Sequence, residues 1–226
     1  MNKIIVSGGI TAEVKKVGSK VATTSLAVTR VPRNGGTGEV DYFEVIYLGE
    51  KNAEWAEKYL KKGSQVLIVG RIQNDVYTDK EGHTRTRLQI VPQTTTFVEM
   101  KSSASINQVV LSGGITADAK RPSDALGTSS IAVSRPISGE AQTDYFNLLH
   151  LGEKRAAFAS DYLKKGTRLL VVGSLQNNVY VDKEGIKRTQ AQIIANNTEF
   201  IGAKVTASPT VVSVEEDDDD DVIPFN

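Results

Sequence analysis

The chain repeats itself, and that repeat limits what it can fold into more than any other feature. Residues 41–100 laid on 144–203 agree at 31 of 60 positions without a gap. SGGIT at 7–11 recurs at 112–116, and DYF at 41–43, LGEK at 48–51, YLKKG at 59–63 and VYxDKEG at 76–82 recur 103 residues on. Solenoid units repeat every 20–50 residues or so, so a period near 100 marks the duplication of a whole domain. The 226 residues then divide into repeat 1 over 1–101 and repeat 2 over 105–203, each large enough for its own core. The small residues KSSAS at 101–105 read as the linker.

Within repeat 1, alternating apolar runs predict five strands, at Lys3–Val6, Val21–Thr29, Tyr42–Leu48, Val66–Val76 and Thr84–Val91. Between the third and fourth, Ala53, Ala56 and Leu60 recur at helical spacing over about Lys51–Leu60, with lysines in the last turn and Gly63 as the stop. Ala156, Ala159, Leu163 and Gly166 repeat this in the second copy. Three strands, a helix and two strands is the order of the OB-fold, a five-stranded Greek-key barrel that binds oligonucleotides or oligosaccharides. The expected fold is therefore all-β: two tandem OB-fold barrels, each with one helix between strands three and four. Fold alone does not choose the ligand.

The zero formal net charge averages two unlike regions. Glu215–Asp221 are seven consecutive acids and Lys204 is the last basic residue, so the rest holds 27 basic groups against 20 acids, a net of +7. Residues 205–226, poor in large apolar side chains, predict a disordered acidic tail. The chain has no cysteine, which excludes disulfides and thiolate metal sites. His83 and His150 are matched by Ile186 and Tyr47, so neither belongs to a repeated site. With no nucleophile, paired base or phosphate loop in either copy, the expectation is a non-enzyme without cofactor or metal. No charged leader with an apolar core and no run of about 18 apolar residues is present, so a soluble, cytoplasmic protein is expected, with no membrane partner.

Sequence-independent binding of a single strand needs aromatic faces for the bases and a basic groove for the phosphates. On the third strand, Tyr42 and Glu44 share one face; on the fourth, Arg71, Gln73, Asp75 and Tyr77 share another and are expected to face solvent. Arg85 and Arg87 on the fifth strand, with Arg30 and Arg33 beside the glycine-rich turn 34–38, complete the candidate surface. Its second-copy members are Arg135, Tyr145, Gln176, Tyr180, Lys183 and Arg188. Arg71 and Arg87 become Ser174 and Gln190, which predicts more phosphate contacts in repeat 1. Cross-strand aromatic pairs also stabilise sheets, and the residues alone leave both roles open for the tyrosines. Trp55, at i, i+4 from Tyr59 and matched by Phe158, reads as packing.

LAVTR at 26–30, YLKKGSQVLIVGRIQ at 59–73, VYTDKEG at 76–82 and the ending DDDDDVIPFN together resemble the bacterial single-stranded-DNA-binding proteins. IAVSR, YLKKGTRLLVVGSLQ and VYVDKEG carry the same resemblance through the second copy. It implies single-strand binding without strong sequence preference in replication, recombination and repair, with Tyr42, Tyr77, Tyr145 and Tyr180 as base-stacking aromatics. It also implies a partner-docking tip of Asp217, Asp218, Asp219, Asp220, Asp221, Ile223, Pro224 and Phe225 that recruits replication and repair enzymes, and a homodimer presenting four OB-folds. The chain departs from the family pattern in having Val31-Pro32, Leu48 and Leu151 at stacking positions, and Val222 and Asn226 around the IPF motif.

Overall fold

The structure is a computed structural model. It describes residues 1–30, 38–78, 82–99, 105–135, 142–181, 185 and 187–202, with Lys187 and Arg188 described by backbone alone. The expected linker, all but Ser105, and the expected tail lie outside the described residues, as do Arg33, Lys183, the side chain of Arg188 and the docking residues 217–225.

Repeat 1 runs β1 (Asn2–Ile10), β2 (Lys15–Val17), β3 (Val21–Thr29), β4 (Val40–Leu48), α1 (Glu50–Tyr59), β5 (Gln65–Thr78) and β6 (Thr84–Phe97). Repeat 2 follows with β7 (Asn107–Ile115), β8 (Lys120–Ser123), β9 (Leu126–Arg135), β10 (Gln142–Leu151), α2 (Glu153–Tyr162), β11 (Arg168–Val181) and β12 (Lys187–Phe200). The five expected strands are present in each copy, joined by a short extra strand, β2 or β8, which pairs with the start of β3 or β9. Parallel pairings β4–β6 and β10–β12, with β1–β3 and β7–β9, close the two Greek-key barrels.

Several strands extend past their expected ends, for identifiable reasons. Gly8 and Gly9 break the apolar pattern of β1, yet a Cβ on Gly8 would lie 2.1 Å from the Ala27 carbonyl oxygen, so the β1–β3 crossing requires the missing side chain. In β6, Pro92 reads as a strand stop. The register shifts there, with Val69 opposite Thr94 and Gly70 opposite Pro92, and the bulge accommodates a residue with no N–H to give.

Ile4, Val6, Leu26, Phe43, Val45, Ile68, Ile72 and Ile90 fill the first barrel, and α1 caps it through Ala53 and Ala56, with Leu60 buried just past its end. Trp55 packs among Tyr47, Tyr59 and Phe97 with ring centroids about 6 Å apart, as the packing reading expects. The barrels join edge to edge. Strand β1 pairs antiparallel with β7, Asn2 opposite Leu111 and Val6 opposite Asn107, and makes one twelve-stranded sheet with a pseudo-twofold axis between the repeats.

Candidate nucleic-acid interface

Each repeat reaches across that axis into the other. The β5–β6 hairpin carries Asn74 to β10, where its side-chain amide donates to the Tyr145 carbonyl at 2.6 Å and its backbone N–H donates to Asp144 Oδ1 at 2.8 Å. The β11–β12 hairpin does the same in return: Asn177 donates to the Tyr42 carbonyl at 2.8 Å and to Asp41 Oδ1 at 3.0 Å.

Arginines lock both contacts. Arg30 donates from Nε to Asp41 Oδ2 at 2.6 Å, pairs with Glu39, and donates to the Asn177 carbonyl at 2.8 Å. Arg135 donates from Nε to Asp144 Oδ2 at 2.9 Å, to Gln142 at 3.0 Å and to the Asn74 carbonyl at 3.0 Å. The hydrogen bond to Asp41 is the main reason the Arg30 pKa lies above its ordinary value. Asp41 and Asp144 are both 2% exposed, which a carboxylate tolerates only when it is paired. Arg30 and Arg135 were expected beside phosphates; the structure places both guanidinium groups in this clamp between the repeats.

The clamp leaves the aromatic faces open. Tyr42 and Tyr145 are each 60% exposed, and Tyr77 and Tyr180 are exposed near the hairpin ends. Because Asn74 precedes Tyr77 on β5 while its side chain holds the Tyr145 backbone, each hairpin tyrosine is tied to the barrel tyrosine of the other repeat rather than of its own.

The polar residues of repeat 1 form a continuous chain. Arg71 donates to Gln73 at 2.7 Å, Gln73 to Gln89 at 3.1 Å, Gln89 to Glu44 at 2.7 Å, Arg87 to Glu44 at 3.0 Å and Arg87 to Asp75 at 2.8 Å. The Arg87 guanidinium also lies over the Tyr77 ring, 5.1 Å from its centroid. Gln73 was expected to face solvent, and this is corrected: it is 8% exposed, because its amide is an interior link in the chain rather than a surface group. Arg71 is half-buried, and that burial first, then the Arg135 charge, lowers its pKa, while Asp144 opposes the shift. Arg85 lies opposite Tyr77 in the ladder. In repeat 2, Gln176 is half-buried and Arg188 lies opposite Tyr180.

Asn74, Asn177, Asp41 and Asp144 are the clamp positions that strand patterning passed over. Their signal was identity between the copies: Asp at 41 and 144, Asn at 74 and 177, and Arg at 30 and 135 all repeat. Among the described residues no group of three or more His, Asp or Glu side chains is disposed to hold a metal ion. Among the described residues no helix is long and apolar enough to cross a membrane.

The model of the single-strand binding protein family matches residues 1–98 and again 106–201. The chain belongs to the single-strand binding protein family. Members of that family are DNA-binding proteins rather than enzymes. The single-stranded DNA-binding protein of Helicobacter hepaticus is 34% identical over 112 residues, covering 47% of this chain and 66% of that protein. The family member from Thermus thermophilus is 26% identical over 179 residues, covering 72% of this chain and 67% of its own length. In fold, the chain is similar to the wild-type single-stranded DNA binding protein from Thermus aquaticus, with a TM-score of 0.66 and 21% identity, over 92% of this chain and 97% of that one. The family match on both repeats agrees with the tandem barrels.

Proposed function

We propose that the chain binds single-stranded DNA stoichiometrically and without strong sequence preference, bases stacking on Tyr42, Tyr77, Tyr145 and Tyr180 while basic side chains meet the phosphates. The observation that carries this reading is the exposure of four tyrosines at equivalent positions, held in fixed relation by the clamp between the repeats. Solvent-exposed rings on a rigid sheet are stacking platforms whatever the base, at about 1–3 kcal/mol per base. Arg71, Arg85, Arg87, Gln176 and Arg188 border these rings in strand or register, and Arg33 and Lys183 belong to the same proposed surface.

The acidic tip, Asp217–Asp221 with Ile223, Pro224 and Phe225, is proposed to dock replication and repair enzymes on the coated strand, the ring entering an apolar pocket and the acids a basic rim. A homodimer with four OB-folds is supported by the outer face of the joined sheet. There Ile5, Leu67, Val69, Val110, Leu170 and Val172 form a half-buried apolar band across the β1–β7 seam, suited to a second copy. Action in the cytoplasm, at the nucleoid, follows from this reading.

Fluorescence anisotropy of labelled oligo(dT) at two salt concentrations, with duplex DNA as competitor, tests the core of it. Tight binding that weakens with salt and survives the duplex is expected. No binding at low salt would overturn the reading.

A further inference from the structure

The two repeats differ in charge along the strands that carry the candidate surface. In repeat 1, Glu44, Arg87 and Gln89 are knitted together and fill the groove between β4 and β6. Their counterparts in repeat 2 are Asn147, Gln190 and Gln192. Charge is lost in matched pairs: Glu44 to Asn147 and Asp75 to Asn178 remove two acids, Arg71 to Ser174 and Arg87 to Gln190 remove two bases. Among the described residues no hydrogen bond or ion pair closes the second groove, and a cavity of about 280 Å³ opens there, lined by Asn147, Gln190, Gln192, Thr128 and Ser130 with Lys120 at its rim. Asp118, also on the wall, is occupied by the backbone N–H of Lys165.

We propose that this cavity is a base-reading pocket, in which a nucleobase of the bound strand inserts its edge between the Asn147 and Gln190 carboxamides. The inference rests on the single-strand reading above and adds to it a site at the groove whose counterpart in repeat 1 is crossed by the bonded Glu44, Arg87 and Gln89. A carboxamide offers an acceptor and two donors in one plane, which matches the mixed donors and acceptors of a base edge, whereas a phosphate uses only the donors. The volume sits just below the range of about 300–1,000 Å³ typical for drug-sized ligands, so it suits a single ring system. Access comes from the stacking face: Tyr145 and Asn147 lie two residues apart on the outer side of β10, and a smaller cleft of about 80 Å³ that includes Tyr145, Asn74 and Thr86 shares Asn147 and Gln190 with the cavity. The exposed ammonium of Lys120 is placed for the phosphate of the inserted nucleotide. Repeat 2 therefore adds a modest base preference to binding that stays broadly independent of sequence.

The test compares affinities for oligo(dC) and oligo(dT) in three full-length proteins: the wild type, Asn147→Leu with Gln190→Leu, and Asn147→Glu with Gln190→Arg. The last pair reproduces an arrangement that repeat 1 already folds around. Stacking within the free oligonucleotide is common to all three proteins, so a change in the ratio reports on the protein alone. The ratio of the two Kd values is expected to differ between wild type and both variants by about 2- to 12-fold, the worth of one net hydrogen bond, with binding of oligo(dT) retained. An unchanged ratio in both variants, with tight binding in all three, would overturn the pocket and leave single-strand binding standing. Failure of the wild type to bind either oligonucleotide would remove the single-strand reading itself, and the pocket with it.

Discussion

Asp144 holds Arg135 by its carboxylate and the backbone of Asn74 by the same group, so one side chain of repeat 2 joins its own strand end to the hairpin of repeat 1. The pair is nearly dry, with side-chain exposures of 12% for Arg135 and 1% for Asp144. Removing one partner of such a pair leaves an uncompensated charge.

Asp144→Ala is therefore expected to destabilise the chain by about 3–5 kcal/mol, read from urea unfolding. Asp144→Asn, which keeps an acceptor for the Asn74 N–H, is expected to lose less. Equal stability of Asp144→Ala and wild type would show that the clamp carries no load.

His150 gives an acid sensitivity with a defined window. It is buried in the second barrel, bonded to Ser129 Oγ at 2.9 Å, and burial pushes its pKa down to about 4. The unfolded chain takes up a proton near pH 6.5, which folded His150 refuses until about pH 4. Stability is thus complete above about pH 6.5, falls as pH drops through the window, and levels off below it, with a total loss on the order of 3 kcal/mol. In repeat 1 the same position is Tyr47, whose hydroxyl meets Thr95 at 3.0 Å and whose pKa burial raises to about 12. Urea unfolding from pH 7 to pH 4 should show a smaller loss for His150→Tyr than for wild type.

Arg87 is spoken for by two carboxylates before any phosphate arrives. Glu44→Gln releases half of that hold while keeping an acceptor for Gln89. Single-strand affinity is expected to rise at low salt, and the slope of log K against log salt to steepen by about 0.7, because Arg87 then neutralises one more phosphate. A slope equal to wild type would mean that Arg87 never turns from Glu44 to the DNA.

Phe225→Ala separates the two proposed activities. Binding of oligo(dT) in the anisotropy titration is expected to stay at the wild-type level, and capture of replication or repair enzymes by immobilised, DNA-coated protein is expected to be lost. Retained capture would move the docking site off the tip.

The duplication made the fold readable, because the motifs and the helix of one copy recur in the other and mark each as a whole domain. Barrel order, helix position and the packing role of Trp55 all followed from period and alternation. The extra strands β2 and β8 did not, since Lys15–Val17 is too short and exposed for any apolar pattern to register. Gln73 was misjudged for a related reason: strict alternation puts it outside, but a glutamine can be buried when Arg71 and Gln89 satisfy its amide. Arg30 and Arg135 show the limit most plainly. Both are cations at the ends of strands, and only the three-dimensional return of the opposite hairpin reveals the carboxylate and carbonyl that engage them.

The seam between β1 and β7 has a bearing on how such a protein can change. When an interface forms between two products of one gene, every substitution is written twice and must suit both sides of the axis at once. Here the facing strands belong to a single polypeptide, and Ile5 on one side already answers to Gln108 on the other. Each half can drift alone, so the molecule is free to become polar along its length and to meet a strand that itself has a 5′ and a 3′ end in two distinguishable orientations.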